Sequence, residues 1–206
     1  ELITQFGLKD AFVVPSPINE QDINESVAQA AAMYIHERLD KSGYINMGYG
    51  DTSSRILNHL ANICEFPVNV VSLTGGVNYY LPNTRSSIFN AKLYLTPAPL
   101  LMASEDIVKA MEQMSIVGIG GVDSNATLLT NGTLNHSDVL LLSMQGAVGD
   151  MLCHFIDKDG NVIQSSLERR LMSTPLEQLK EMNNSIGVAG GSTKSEAILA
   201  ALKGNY

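Results

Sequence analysis

YINMGYGDTSSRILNHLANI, residues 44–63, contains in one stretch the unit from which the rest of the chain can be read. The apolar YINMG segment reads as a strand, Gly48-Tyr49-Gly50 as a turn, and the residues from Ser53 to Ile63 as a helix. A strand that passes through a glycine turn into a helix raises two questions. One is whether the unit recurs. The other is whether the turn cradles a ligand or only starts a helix with good capping residues.

The unit recurs in both directions. Upstream, AFVVPS (11–16) is expected as a first strand, and residues 24–39 place Val27, Ala31, Tyr34, Ile35 and Leu39 at helical spacing. Downstream, VNVVSLTGG (68–76) runs from strand into glycines and KLYLTPAPLL (92–101) from strand into prolines. SEDIVKAMEQM (104–114) opens with a capping serine and acidic residues, so it is predicted helical. SIVGIGG (115–121) and DVLLLSMQGAVGD (138–150) come next, read as strands that end in glycine turns. LCHFIDKDGNVIQ (152–164) reads as two strands around the turn at 157–160. TPLEQLKEM (174–182) is a short helix with Thr174 as N-cap and Pro175 at its first position. SIGVAGGSTKSEAILAALKG (185–204) again gives strand, glycine turn and helix. The expected fold is therefore α/β: an open, mainly parallel, Rossmann-like sheet with helices on both faces, plus a small β-hairpin insertion near 152–164.

The glycine turns carry the functional reading. They fall at 48–50, 75–76, 120–121, 146–149 and 190–191. In an open parallel sheet the strand-to-helix turns share the carboxyl edge, where ligands bind. Glycine lets backbone N–H groups approach closely. Two turns lead directly into helix N-termini, which favour anions. The first adds the Thr52 and Ser53 hydroxyls, and the second adds Lys194. A cation in a first helical turn is opposed by the helix dipole, so Lys194 is either a solvated surface lysine or faces a bound anion. Asp150 either accepts hydrogen bonds from sugar hydroxyls or caps the next element of the chain, and Asp51 has the same two readings. The candidate ligand-binding residues are Gly48, Tyr49, Gly50, Asp51, Thr52, Ser53, Gly75, Gly76, Gly120, Asp150 and Lys194.

Other chemistries find little support. A dinucleotide fingerprint would need a third glycine after Gly50 and an acidic residue after the next strand, which instead ends Leu73-Thr74-Gly75. There is no Walker motif. His36 and His59 lie on helix patterns, His136 comes after LTNGTLN, and His154 alternates within a strand. None has a Cys or Asp partner at the spacing of a triad or metal site. Met102, Met111 and Met114 read as core filler. No cofactor or metal is expected.

With 45% apolar residues, 206 residues suit one large domain. A net charge of −8, with 13 scattered basic residues, makes a poor nucleic-acid surface. Cys64 and Cys153 are expected as free thiols of a cytoplasmic protein. No apolar run approaches the roughly 20 residues of a membrane span. The first residue is Glu1, as expected of a piece of a longer chain.

Taken in order, the motifs resemble the effector-binding domain of the SorC family of bacterial transcriptional regulators. The residues that carry the resemblance are FGLKDAFVVP, GYGDTSSRIL, SLTGGV, TPAPLL, IVGIGG, GAVGDMLCHFIDKDG and VAGGSTKSEAILAALKG. They run nearly end to end. The stretch between Met102 and Ser115 is shorter than the family pattern. The resemblance implies a fold similar to sugar-phosphate isomerases and deaminases. It also implies a sugar or sugar-phosphate effector, with Asp150 on sugar hydroxyls and Lys194 on a phosphate or its equivalent. Operator DNA would be bound only through an N-terminal helix-turn-helix domain absent from residues 1–206, and the protein would be a homo-oligomer, dimer or tetramer. The expected function is a non-catalytic sensor. The alternative is an isomerase or deaminase, which needs a base beside the substrate carbon and an acid for ring opening, and no pair at a defensible spacing is present. A plain interaction module is a third, weaker reading.

Overall fold

The computed structural model describes residues 1–15, 17, 19, 22–39, 44–66, 68–74, 89–92, 114–123, 126–130, 134–171, 173–182 and 184–206. The expectations for 75–76, for the prolines at 97 and 99 and for the helix at 104–113 lie outside the described residues.

In chain order, helices α1 (Leu2–Phe6) and α2 (Ile23–Arg38) precede β1 (Tyr44–Met47), α3 (Asp51–Ile63), β2 (Val68–Ser72), β3 (Phe89–Lys92) and β4 (Met114–Gly121). Then come α4 (Thr127–Thr130), α5 (His136–Met144), β5 (Ala147–Met151), β6 (His154–Asp157), α6 (Leu176–Glu181), β7 (Ser185–Val188) and α7 (Ser195–Lys203). The strands form one sheet ordered β3-β2-β1-β4-β5-β6, with β7 also paired to β4. β1, β2, β3, β4 and β7 pair in parallel, whereas β5 is antiparallel to both β4 and β6. The parallel strands therefore all point their carboxyl ends to one edge.

β4 organises the sheet. Its first half is flanked by β1 and β7, and its last three residues pair with β5, Gly120 opposite Asp150 and Gly121 opposite Gly149. Alternation along β4 supplies two cores on opposite faces. Met114 and Ile116 join Ile35, Ile45, Ile56 and Leu60 beneath α2 and α3. Val117 and Ile119 join Met151, Leu176, Leu179 and Ala197 beneath α6 and α7. Ala28 and Ala32 are fully buried, and their small side chains let α2 lie close on α3. Each fully buried Ile or Leu contributes about 1.5–3 kcal/mol relative to an exposed one. A third cluster of Leu128, Leu134, Leu142 and Phe155 forms beside β6.

The open α/β sheet with helices on both faces agrees with the sequence reading, and Cys64 and Cys153 are free. Besides the N-cap of α6, which is Pro175 rather than Thr174 so that the helix starts at Leu176, three local readings are corrected. Residues 11–15 form no strand, and Phe12 and Val13 are exposed. Pro15 and Pro17 supply no N–H for a ladder there. The stretch at 138–150 is helix and then strand. Asn135 and Asp138 close a reciprocal capping box that starts α5, and Gly146 (φ 86°) ends it. Asp150 therefore lies inside β5 rather than in a turn. Finally, β6 hairpins back onto β5 through Leu152 and Cys153, and the segment after the 157–160 turn returns only as the single bridge Ile156–Val162.

Candidate ligand crevice at the carboxyl edge

β1 ends beside β4, where the Gly48 N–H donates to the Ile116 carbonyl at 2.7 Å. Gly50 comes next with φ 154° and ψ 166°, a region open essentially only to glycine, and it is the N-cap of α3. Having no side chain, it caps nothing. Ser54 N–H reaches the Gly50 carbonyl, but among the described residues nothing accepts from the N–H groups of Asp51, Thr52 and Ser53. Ser53 is 2% exposed and its Oγ has no hydrogen-bond partner. An orphaned buried hydroxyl costs about 1–3 kcal/mol. It lies about where the first wall meets the strand: a methyl group added to Gly118 would sit 4.0 Å from Ser53 Oγ and 3.9 Å from the Tyr49 carbonyl.

The opposite wall belongs to β5. A methyl group on Gly120 would fall on Asp150 Oδ1, so the missing side chain makes room for this carboxylate. Asp150 Oδ2 accepts from Cys153 N–H at 3.3 Å. Burial pushes the Asp150 carboxyl up to about 6, against opposing pulls from that N–H, from Lys194 and from His154. Burial, with Asp150 as neighbour, pushes the Cys153 thiol up to about 12, so it is not a reactive thiolate. Leu152 (φ 53°) and Cys153 (φ 67°) both take the left-handed conformation without being glycine, which costs about 1–3 kcal/mol each. Leu152 Cδ2 also reaches within 2.8 Å of where a Gly48 side chain would begin, tying this hairpin to the first wall.

Lys194 arrives from the other face of β4. It ends the short 3-10 turn Ser192–Lys194 that comes after Gly191 and leads into α7. Its Cγ lies 3.9 Å from the position of a Gly121 methyl, and Asp123 Oδ2 lies 3.2 Å from that point. Among the described residues the Lys194 ammonium has no ion-pair or hydrogen-bond partner.

The fold thus brings Gly48, Gly50, Thr52, Ser53, Gly120, Asp150 and Lys194 to one edge, and Gly75 and Gly76 lie outside the described residues. Two candidates turn elsewhere. The Tyr49 ring packs on the cluster of Leu128, Leu142 and Phe155. Asp51 Oδ2 accepts from Arg55 Nε at 2.9 Å and from Asn24 Nδ2 at 3.3 Å, so it faces α2. Sequence reasoning missed the acid partners of two histidines. His59 Nε2 lies 2.8 Å from Glu25 Oε1, and His154 Nδ1 lies 2.8 Å from Glu168 Oε1. Neither pair has a local spacing that would reveal it, because the partners meet only when the helices and the hairpin pack.

Comparison with known proteins adds to this geometry. The family model described as "Putative sugar-binding domain" matches residues 1–113 and 100–206. The chain is 30% identical over 223 residues to the transcriptional regulator LsrR of Klebsiella pneumoniae, covering 99% of this chain and 69% of that protein. Against LsrR of Escherichia coli it is 30% identical over 225 residues, covering 100% and 71%. Among solved structures, a DeoR family transcriptional regulator from Listeria monocytogenes superposes with TM-score 0.79 at 23% identity, over 99% of this chain and 90% of that one. The full-length sorbitol operon regulator SorC from Klebsiella pneumoniae gives TM-score 0.75 at 23% identity, over 98% and 73%. At that identity the likeness carries the fold. Both LsrR alignments are longer than the 206 residues here, so the relatives carry internal residues that this chain lacks. The two family matches overlap at 100–113, across most of the stretch that is short by the family pattern.

Proposed function

Because the chain belongs to the sugar-binding-domain family of SorC/LsrR-type transcriptional regulators, we propose that a sugar or sugar phosphate binds the carboxyl-edge crevice and controls DNA binding by the regulator. The observation that carries the location is the Ser53 hydroxyl, buried and unpartnered at an uncapped helix N-terminus. A phosphate or sugar oxygen there accepts from the α3 N–H groups and satisfies Ser53, while Asp150 accepts from sugar hydroxyls. Lys194, beside Gly121 and without an ion-pair partner among the described residues, meets the anionic end. Operator DNA is bound through a helix-turn-helix domain outside residues 1–206, in the cytoplasm, and the sensing domains assemble as a homo-oligomer. The ligand acts only through different affinities for two states of that assembly.

The relatives are transcriptional regulators rather than enzymes. Asp150 is suited to binding, since among the described residues the hydrogen bond it accepts comes from the Cys153 backbone N–H and not from a side-chain acid or base.

Thermal unfolding against glucose, sorbitol, ribose and their phosphates tests the reading, with Lys194→Ala in parallel. A ligand at about 100 times its Kd adds about 2.7 kcal/mol. That raises the midpoint by roughly 5–11 °C for a domain of this size. For a phosphosugar, Lys194→Ala weakens binding about 10–100-fold, the value of a charge-assisted hydrogen bond. Response to free sugars alone, with Lys194→Ala indifferent, removes the phosphate role. Turnover of the sugar would replace the sensor by an enzyme, and no response to any compound would reduce the first wall to an ordinary helix start.

A further inference from the structure

His154, the first residue of β6, has no part in the crevice reading, yet it is 5% exposed and both ring nitrogens are engaged. Nε2 lies 2.9 Å from the Thr174 carbonyl oxygen and Nδ1 lies 2.8 Å from Glu168 Oε1. A carbonyl oxygen only accepts, so Nε2 carries a hydrogen. Nδ1 faces the Glu168 carboxyl, so both nitrogens of the ring are held by fixed partners. This is not a surface pair, because the Glu168 side chain is only 18% exposed.

The ring joins segments that are distant in sequence. Thr174 N–H donates to the Leu73 carbonyl at 2.8 Å, and Ser173 Oγ donates to the same oxygen at 3.3 Å. Ser173 and Thr74 form an isolated antiparallel bridge. Leu73 and Thr74 lead from β2 at the carboxyl edge directly into Gly75 and Gly76. On the other side of His154, the left-handed turn of Leu152 and Cys153 presents the Cys153 N–H to Asp150. The imidazole thus stands between the hairpin that carries Asp150 and the end of β2. Glu168 is itself held in place, its N–H donating to Ser165 Oγ at 3.1 Å.

We propose that His154 and Glu168 are positioning residues for the crevice: the pair locks the Asp150 hairpin to the Leu73–Thr74 end of β2, so that both meet the ligand edge in one register. The consequence for ligand affinity rests on the crevice reading; the locking does not.

Amide hydrogen exchange in the ligand-free protein tests the locking without any effector. In His154→Gln, and in the milder Glu168→Gln, the Thr174 and Cys153 amides exchange about tenfold faster while those of α2 and α3 keep their rates. The double variant, in which two glutamines can bond to each other and to Thr174, recovers much of the protection. Unchanged exchange at Thr174 and Cys153 overturns the proposal, and so does equal acceleration throughout α2 and α3, which marks general loosening. If His154→Gln does not fold, Glu168→Gln decides alone. A second arm titrates sorbitol 6-phosphate, ribose 5-phosphate and the free sugars, and whichever binds the wild type binds both single variants about tenfold more weakly. Equal affinity in wild type and variants leaves the crevice reading intact and removes the positioning role. A wild type that binds none of these compounds refutes the crevice reading, and the exchange data still decide the locking.

Discussion

On one side of the proposed crevice the chain offers backbone: three N–H groups and a buried hydroxyl at the start of α3, all within six residues of Gly48. On the other it offers a carboxylate in β5, held by strand register, by the absent side chain of Gly120 and by a turn with two left-handed residues. Among the described residues the first wall turns no titratable group toward the proposed ligand, and it depends on one glycine conformation. The second depends on packing between elements and carries a carboxyl pushed up to about 6. A wall made of backbone tolerates changes in its surroundings but not a change in its dihedral angles. A wall made by register does not tolerate added volume.

Volume at the second wall is the most direct way to break this contrast. A methyl group on Gly149 would fall against Ala197 Cβ, 2.7 Å from the Gly120 carbonyl and 3.1 Å from Ala197 Cα. Two of these atoms are backbone, so no flexible side chain can yield. Gly149→Ala is expected to cost about 3 kcal/mol, the upper end for overpacking, and to lower the unfolding midpoint by roughly 6–12 °C. At Gly50 the same methyl meets nothing nearer than Ser53 Oγ at 4.0 Å, and only the dihedral strain of about 1–3 kcal/mol remains. Calorimetry on both variants decides it: a Gly50→Ala more damaging than Gly149→Ala reverses the comparison.

The carboxylate sharpens the contrast through pH. The Asp150 carboxyl titrates at about 6 in the folded protein against an ordinary 3.8, so the folded state holds its proton more tightly than the unfolded state does. Stability attributable to Asp150 therefore falls as pH rises from about 4 to about 6, and stays reduced above that. Asp150→Asn removes the decline and keeps an acceptor for Cys153 N–H. The full shift corresponds to about 3 kcal/mol, and the remaining solvent contact of the side chain trims it to about 2. The variant is thus expected to be more stable than the wild type at pH 8, equal to it near pH 4, and unable to bind sugar. Denaturant unfolding at the two pH values measures this, and a variant less stable at pH 8 would show that the carboxylate is not held at a cost for a ligand.

Legibility divided in the same way. The first wall was readable because Gly48, Gly50, Thr52 and Ser53 are neighbours, and strand, turn and helix each have a local pattern. The parallel sheet was readable for the same reason. The sequence singles out Asp150 but reads as a turn there, because VLLLSM looks alike as a buried strand and as a helix, and the Asn135–Asp138 capping box that decides for helix lies just before the apolar run. AFVV has strand composition, but nothing in it shows that no neighbour pairs with it. The hairpin reversal at Leu152-Cys153 carries no glycine or asparagine signal, since contacts with Gly48 and Asp150 hold it in place of local preference. His154 and Glu168 meet across a loop, and no spacing rule connects them.

Asp51 gives the smallest effect and the sharpest distinction between chemistry suggested by position and chemistry shown by contact. It stands at the start of α3, where a carboxylate is favoured by the helix dipole, and beside N–H groups suited to a ligand. Its oxygen is nevertheless bonded to Arg55 and Asn24, and Arg55 reaches Glu25 at 2.8 Å, which in turn meets His59. The Arg55 hydrogen bond holds the Glu25 carboxyl below its ordinary value, so this contribution between α2 and α3 is present above the usual carboxylate range and lost as pH falls through the lowered value. Asp51 is exposed and Glu25, Arg55 and His59 are partly so, and pairs near the surface contribute about 0.2–1 kcal/mol each. Asp51→Asn should therefore lower stability by no more than about 1 kcal/mol, a midpoint change of roughly 2–4 °C that shrinks in high salt. Affinity for a free sugar should not change, and a phosphosugar should bind equally or slightly more tightly, because a negative charge near the helix end is gone. If instead free-sugar affinity drops about tenfold while stability holds, Asp51 leaves Arg55 when ligand arrives, and the first wall contributes a carboxylate as well as backbone.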